Sequence, residues 1–118
     1  MSRAALSIFV FGVYFSAAGA VLMLAPNALL VPLHMPPTHE PWLRVLGIVA
    51  FVLGLYYVAA ARANVVAFFR FSTWGRSLFM IGAIAFVALD AVPWQVLLFG
   101  AVDVAGAIWT RLALRSAS

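Results

Sequence analysis

The chain has 118 residues, of which 67% are hydrophobic and only 8% charged, against about 45–50% apolar and about 25% charged residues in a soluble domain. A water-soluble fold of this size leaves roughly a third of its surface exposed, more than so few charged side chains can keep wet, so lipid is the solvent the composition requires. The net charge of +4 comes from seven arginines and no lysine; these arginines lie between apolar runs and not on one solvated face, which argues against nucleic acid and for anionic lipid headgroups as the partner.

There is room for one domain, and the lack of cysteine excludes disulfides, thiolate nucleophiles, iron–sulfur ligation and zinc–thiolate sites. A spanning helix takes about 20 mainly apolar residues, and the first such run covers residues 4–25, with Tyr14 near its middle. Arg3, the apolar run and "AGA" at residues 18–20 also resemble a cleavable signal peptide. The run is longer than the core of about 7–15 residues that such signals carry, so it is read as a span.

Residues 25–42, "APNALLVPLHMPPTHEPW", hold five of the six prolines. Each proline lacks a donor and disfavours helix in the residue before it, which predicts a loop over 26–41. Its apolar members lay it along the membrane surface. His34, His39 and Glu40 occur there without a recognised metal-ligand spacing, and a structural site wants four ligands of fixed geometry, so no metal is expected.

The second span covers 42–61, with Arg44 near its start and Tyr57 near its end. After it, "RANVVAFFRFSTWGR", residues 62–76, interleaves Arg62, Arg70 and Arg76 with Phe68, Phe69, Phe71 and Trp74. The segment 62–72 is expected to be a connection lying in the headgroup layer, its three neighbouring arginines contacting lipid phosphates. A third span follows over 73–92. The joint "LDAVPW" then leads into a fourth over 94–114, and so short a joint forces an antiparallel hairpin. Backbone groups in hydrocarbon must be satisfied within the segment, so each span is helical and the fold class is an all-α, up-down four-helix membrane bundle.

With the first span starting in the cytoplasm, Arg3, Arg62, Arg70, Arg76, Arg111 and Arg115 fall on that side and only Arg44 on the other. Cationic residues near span ends are retained in the cytoplasm, so a bacterial inner membrane with both termini cytoplasmic is expected. Trp42 and Trp94 then mark the outer boundary, Trp74 and Trp109 the inner one. Arg44 meets two candidate carboxylates near the outer boundary, Glu40 four residues before it and Asp90 at the end of the third span. These three are expected to form a structural charge clamp.

Helices in lipid approach closely where small residues allow it. Gly12 and Gly19, Gly47 and Gly54, Gly75 and Gly82, and Gly100 with Ala107 are each seven residues apart, two helical turns, and so mark stripes expected to face neighbouring helices. Asp103 shares a face with Gly100 and Ala107 and points into the bundle near mid-depth. An aspartate there costs about 2.5–3.5 kcal/mol on insertion scales, so it must be protonated, hydrogen-bonded or beside a cavity. Tyr14 and Tyr57 are its candidate partners, and Asp103, Tyr14 and Tyr57 together are the candidate ligand-binding or buried polar cluster. No nucleophile elbow, phosphate loop or zinc-helix motif occurs in the chain.

The run "WLRVLGIVAFVLGLYYVAAARANVVAFFRFSTWGR" resembles the small four-span bacterial proteins called BphX-like and, more distantly, the DoxX-like group. The resemblance rests on R-x-L-G at Arg44 to Gly47, G-x-Y-Y at Gly54 to Tyr57, the following A-A-R, and G-R at Gly75 and Arg76. It implies four spans; BphX-like proteins are associated with aromatic-degradation gene sets, and DoxX-like proteins appear as membrane subunits or partners of redox systems. No catalytic residue transfers.

The expected function is that of a noncatalytic inner-membrane protein, an accessory subunit or a binder of a small hydrophobic molecule, with no cofactor. The alternative is a proton-coupled small-molecule transporter acting as a homodimer. Small multidrug exporters of this length carry their carboxylate in the first span, where this chain has Tyr14, and have weaker charge bias.

Overall fold

A computed structural model of the chain describes residues 2–35 and 41–117. Five α-helices follow one another: α1, Arg3–Leu24; α2, Pro26–Leu30; α3, Pro41–Arg62; α4, Val66–Ala88; and α5, Val96–Ala117, with a 3₁₀ turn Val31–Leu33 after α2. Four of them are long and apolar enough to cross a bilayer, which makes the chain a multi-pass membrane protein with an all-α four-helix fold. The whole measures 45 × 29 × 20 Å, long enough for a hydrocarbon core of about 30 Å.

The helices run up, down, up, down. α1 and α3 pair antiparallel along their lengths, α4 and α5 form the second pair, and α1 against α5 joins the two. α1 touches every other span. The first pair interlocks through its glycines. A Cβ on Gly12 would stand 2.8 Å from the Tyr57 Cβ and 2.9 Å from the Gly54 carbonyl oxygen, and a Cβ on either Gly19 or Gly47 would stand 2.7 Å from the other's carbonyl oxygen. Only residues without side chains permit so close a crossing, and in lipid that contact is what holds two helices together. Ser16 adds a hydrogen bond from its hydroxyl to the Phe51 carbonyl at 3.3 Å.

The remaining glycine stripes divide. Gly100 abuts Met80 of α4, whereas Gly75 and Gly82 have nothing within 4 Å of where a Cβ would sit. The α4 stripe therefore faces away from the bundle, contrary to the expectation from its spacing, because α4 turns the face bearing Thr73, Arg76 and Ala83 inward instead.

Three helix ends close in the same way. His34, Asn64 and Asp90 have φ near +60°, and at each the chain makes the paired bonds of a Schellman motif: Val65 N–H to the Ala60 carbonyl with Asn64 N–H to Ala61, and Ala91 N–H to Phe86 with Asp90 N–H to Val87. Asn and Asp tolerate this left-handed position better than most residues with a Cβ. At Asn64 the stop is abrupt, and residues 63–65 alone separate α3 from α4.

That stop corrects the expected third span. Val66–Phe71 belong to α4, so the 62–72 connection shrinks to three residues and the helix ends at Ala88, not at residue 92. The apolar side chains of Val66, Phe68, Phe69 and Phe71 continue the span, and Phe69 is fully buried against Ala4, Ala5 and Ile8 of α1. The proline-rich loop is likewise partly helical. Pro26 sits at the first position of α2 and Pro32 within the 3₁₀ turn, where a missing N–H costs nothing. Between α4 and α5, Val96, Leu97 and Leu98 N–H groups bond the carbonyls of Pro93, Trp94 and Gln95, so α5 begins at Val96, two residues later than expected.

Candidate functional site

The polar centre of the bundle lies where α1, α4 and α5 meet, and its principal member is Arg76. As the eleventh of the 23 residues of α4 it is near mid-span, and only 2% of it is exposed. It is therefore not the headgroup contact expected of it. The earlier start of α4 moves position 76 about three helical turns into the membrane, beyond the reach of a side chain that leans back along the helix.

The guanidinium is held on two sides. Nε donates to the Ser72 carbonyl at 3.2 Å, and Nη2 donates to the Ser72 hydroxyl at 3.0 Å and to the Thr110 hydroxyl at 3.1 Å. Ser72 and Arg76 are four apart on one helix face, and Thr110 reaches them from α5. Thr110 in turn shares a 2.7 Å hydrogen bond with Ser7 of α1. The guanidinium carbon lies over the Phe11 ring, 4.7 Å from its centroid, and 6.0 Å from the Tyr57 centroid, an arrangement that stabilises a desolvated cation through the ring quadrupole. Nη1, also buried, has no hydrogen-bond partner among the described residues.

Asp103 is also buried, at 7% exposure, on the same side of α5 as Gly106 and Thr110. By residue count at 1.5 Å per residue it stands roughly one turn nearer the α4–α5 hairpin than Arg76, while Arg76 leans the other way, towards Ser72 and Thr110. The two therefore interact electrostatically without an ion pair. Asp103 also acts at that range on Tyr14 and Tyr57, so the structure brings the three expected residues around one centre. The interhelical hydrogen bond expected of Asp103 is not formed, and neither tyrosine hydroxyl bonds a described residue. Phe11 packs between the tyrosines, 5.9 Å from the Tyr14 centroid and 5.1 Å from that of Tyr57.

A groove of about 240 Å³ opens beside this centre, between α1 and α5, lined by Ser7, Phe11, Tyr14, Val102, Gly106 and Trp109 among others. Gly106, one of the lining residues, borders the charge. A Cβ built there would lie 3.0 Å from Arg76 Nη1 and 3.5 Å from the Phe11 ring.

The other expected residues lie apart from this centre. Arg44 donates through Nη1 to the carbonyls of Met23 at 2.9 Å and Leu24 at 3.1 Å, capping α1 at the negative end of its dipole. Asp90 forms the left-handed stop after α4 and makes no ion pair with Arg44; Glu40 and His39 lie outside the described residues. The charge clamp between Arg44 and Asp90 is thus replaced by two separate helix-end devices, because the helix-terminal carbonyls of Met23 and Leu24 give Arg44 acceptors within hydrogen-bond distance and Asp90 does not. Arg62 and Arg70 are exposed at the end of the bundle that carries the termini. Arg111 donates to the Thr73 hydroxyl at 2.9 Å and stacks 5.2 Å from the Trp74 centroid. Among the described residues no three His, Asp or Glu side chains could hold one metal ion.

Sequence reasoning missed Ser7, Ser72, Thr110 and the burial of Arg76. The available signal was the spacing Ser72-x-x-x-Arg76, which places a hydroxyl and a guanidinium one turn apart on one face once α4 is extended to Val66. These features define a multi-pass membrane bundle with a charged, aromatic-lined centre. No protein-family model, curated protein or solved structure matches the chain.

Proposed function

We propose that the chain is a noncatalytic membrane protein that holds a small hydrophobic molecule in the α1–α5 groove, against the centre formed by Arg76, Asp103, Tyr14 and Tyr57. The observation that carries this reading is the mid-span burial of Arg76 with an unpartnered Nη1. Ionisable groups inside a bilayer are expensive and tend to mark binding sites or pathways, and a site for a small apolar molecule is an apolar cleft with a few placed polar groups. The groove has that composition. Its polar groups carry no acid–base or nucleophile pairing, which supports binding over chemistry.

The membrane we assign is a bacterial inner membrane, with both termini cytoplasmic. Removing Arg76 from the end-of-span count leaves Arg3, Arg62, Arg70, Arg111 and Arg115 at one end of the bundle and Arg44 at the other, so the positive-inside bias persists. The resemblance to BphX-like and DoxX-like proteins fits an accessory role, and anionic headgroups remain the expected neighbours of Arg62 and Arg70.

Trp109 lines the groove and gives the test. A protein retaining Trp109 as its sole tryptophan, in phosphatidylcholine nanodiscs, is titrated with a brominated octanol. Saturable quenching of Trp109 that is lost when Gly106→Leu fills the groove supports the reading. Identical, non-saturating quenching in both proteins contradicts it.

A further inference from the structure

Resting on that reading, we infer that the groove selects molecules carrying a single anionic oxygen group, of the carboxylate kind, on an apolar body, with Arg76 Nη1 as the group that recognises it and Gly106 as the opening through which it is reached.

Of the three nitrogens of this guanidinium, Nε and Nη2 are committed to Ser72 and Thr110, and Nη1 alone has no hydrogen-bond partner among the described residues. At Gly106, which lines the groove, no side chain stands in front of this nitrogen, and a Cβ there would lie 3.0 Å from it. Any other residue at this position would cover the nitrogen. The Phe11 and Tyr57 rings hold the cation through their faces, an attraction that leaves its N–H groups for an acceptor. Ser7 and Tyr14 also line the groove, and the Tyr14 hydroxyl is a second donor for an oxygen placed there.

Depth chooses among the anions. Gly106 is the eleventh of the 22 residues of α5, about 16 Å from either end at 1.5 Å per residue, where a phospholipid phosphate does not reach. A short-chain acid fits both the depth and the size of the groove. Asp103 opposes it, being the carboxylate in electrostatic range of Arg76 among the described residues. It therefore tunes the affinity downwards and favours release, and its removal tightens binding of the acid and not of a neutral analogue.

The experiment uses the same protein with Trp109 as sole tryptophan and compares a brominated octanoate with the matching octanol. The acid is expected to half-quench Trp109 at a concentration lower by about tenfold or more, relative to the alcohol, than in Arg76→Met, this being the effect of one charge-assisted hydrogen bond. Gly106→Ala should erase the preference while alcohol quenching persists, and Asp103→Asn should strengthen acid quenching alone. Circular dichroism of each variant establishes that it is folded, and Arg76→Lys, which keeps the charge, should keep part of the preference. Equal acid-to-alcohol ratios in the intact protein and Arg76→Met overturn the inference while leaving the groove as an apolar binding site. Specific quenching by neither probe removes both.

Discussion

Arg76 is arranged in a way that separates the role in binding proposed for it from any role in stability. Every oxygen it bonds already has another partner: the Ser72 hydroxyl donates to the Phe69 carbonyl at 2.8 Å, and the Thr110 hydroxyl donates to Gly106 at 3.0 Å and pairs with Ser7. Deleting the guanidinium therefore leaves no acceptor stranded, whereas keeping it costs the desolvation of a charge. Asp103 makes no ion pair with Arg76, so an apolar side chain of similar volume removes the desolvation cost of the cation without breaking a pair. Arg76→Met is accordingly expected to unfold at the same or a higher temperature than the intact protein in nanodiscs, read by circular dichroism; a large loss of stability would make Arg76 a structural pin. Position 103 was legible from the sequence because an acid amid apolar residues is conspicuous at any register. Arg76 was not, because its depth depends on where α4 begins, and Arg70 among aromatics resembles a membrane boundary as much as the first turns of a span.

Among the helices, the glycines separate into two kinds that the seven-residue spacing alone does not distinguish. Gly12, Gly19, Gly47 and Gly54 sit at backbone contact, where an added methyl meets carbonyl oxygens that cannot move without the helix moving. Gly75 and Gly82 face open surroundings. Gly47→Ala should therefore destabilise the bundle by about 1–3 kcal/mol through overpacking, while Gly75→Ala should be neutral or stabilising by up to roughly 1 kcal/mol from helix propensity. Thermal unfolding of the two variants in the same detergent checks this, and equal effects would contradict the α1–α3 interlock. The sequence made the stripes visible, but which stripe packs is decided by what competes for the inward face. On α4 the competitors are Thr73 and Arg76, whose side chains also bond Arg111 and Thr110 of α5 and so turn the glycines outward.

Over the whole molecule, the apolar runs announced four crossings and their up-down order, because hydropathy and proline placement act locally. The helix ends were less legible, since they are set by left-handed stops at Asn64 and Asp90, residues whose capping use is not encoded by hydropathy. Between 22% and 28% of each span is buried within the protein, so lipid covers the rest and stability belongs to protein and bilayer together. The chain lacks cysteine, which allows single cysteines to report position without background. Ala63→Cys and Ala91→Cys, at opposite ends of the bundle, should react with a charged maleimide from opposite faces of the membrane, position 63 from the cytoplasm.

The central claim is that a guanidinium lies at mid-membrane in the junction of α1, α4 and α5, and the most direct measurement of it is the labelling rate of Arg76→Cys in sealed vesicles set beside that of Ala63→Cys. A cysteine at position 76 that stays unreactive towards the charged maleimide from both faces, while position 63 labels rapidly from one, is the result expected. Labelling at position 76 as fast as at position 63 would return this residue to the headgroup layer and contradict the site built around it.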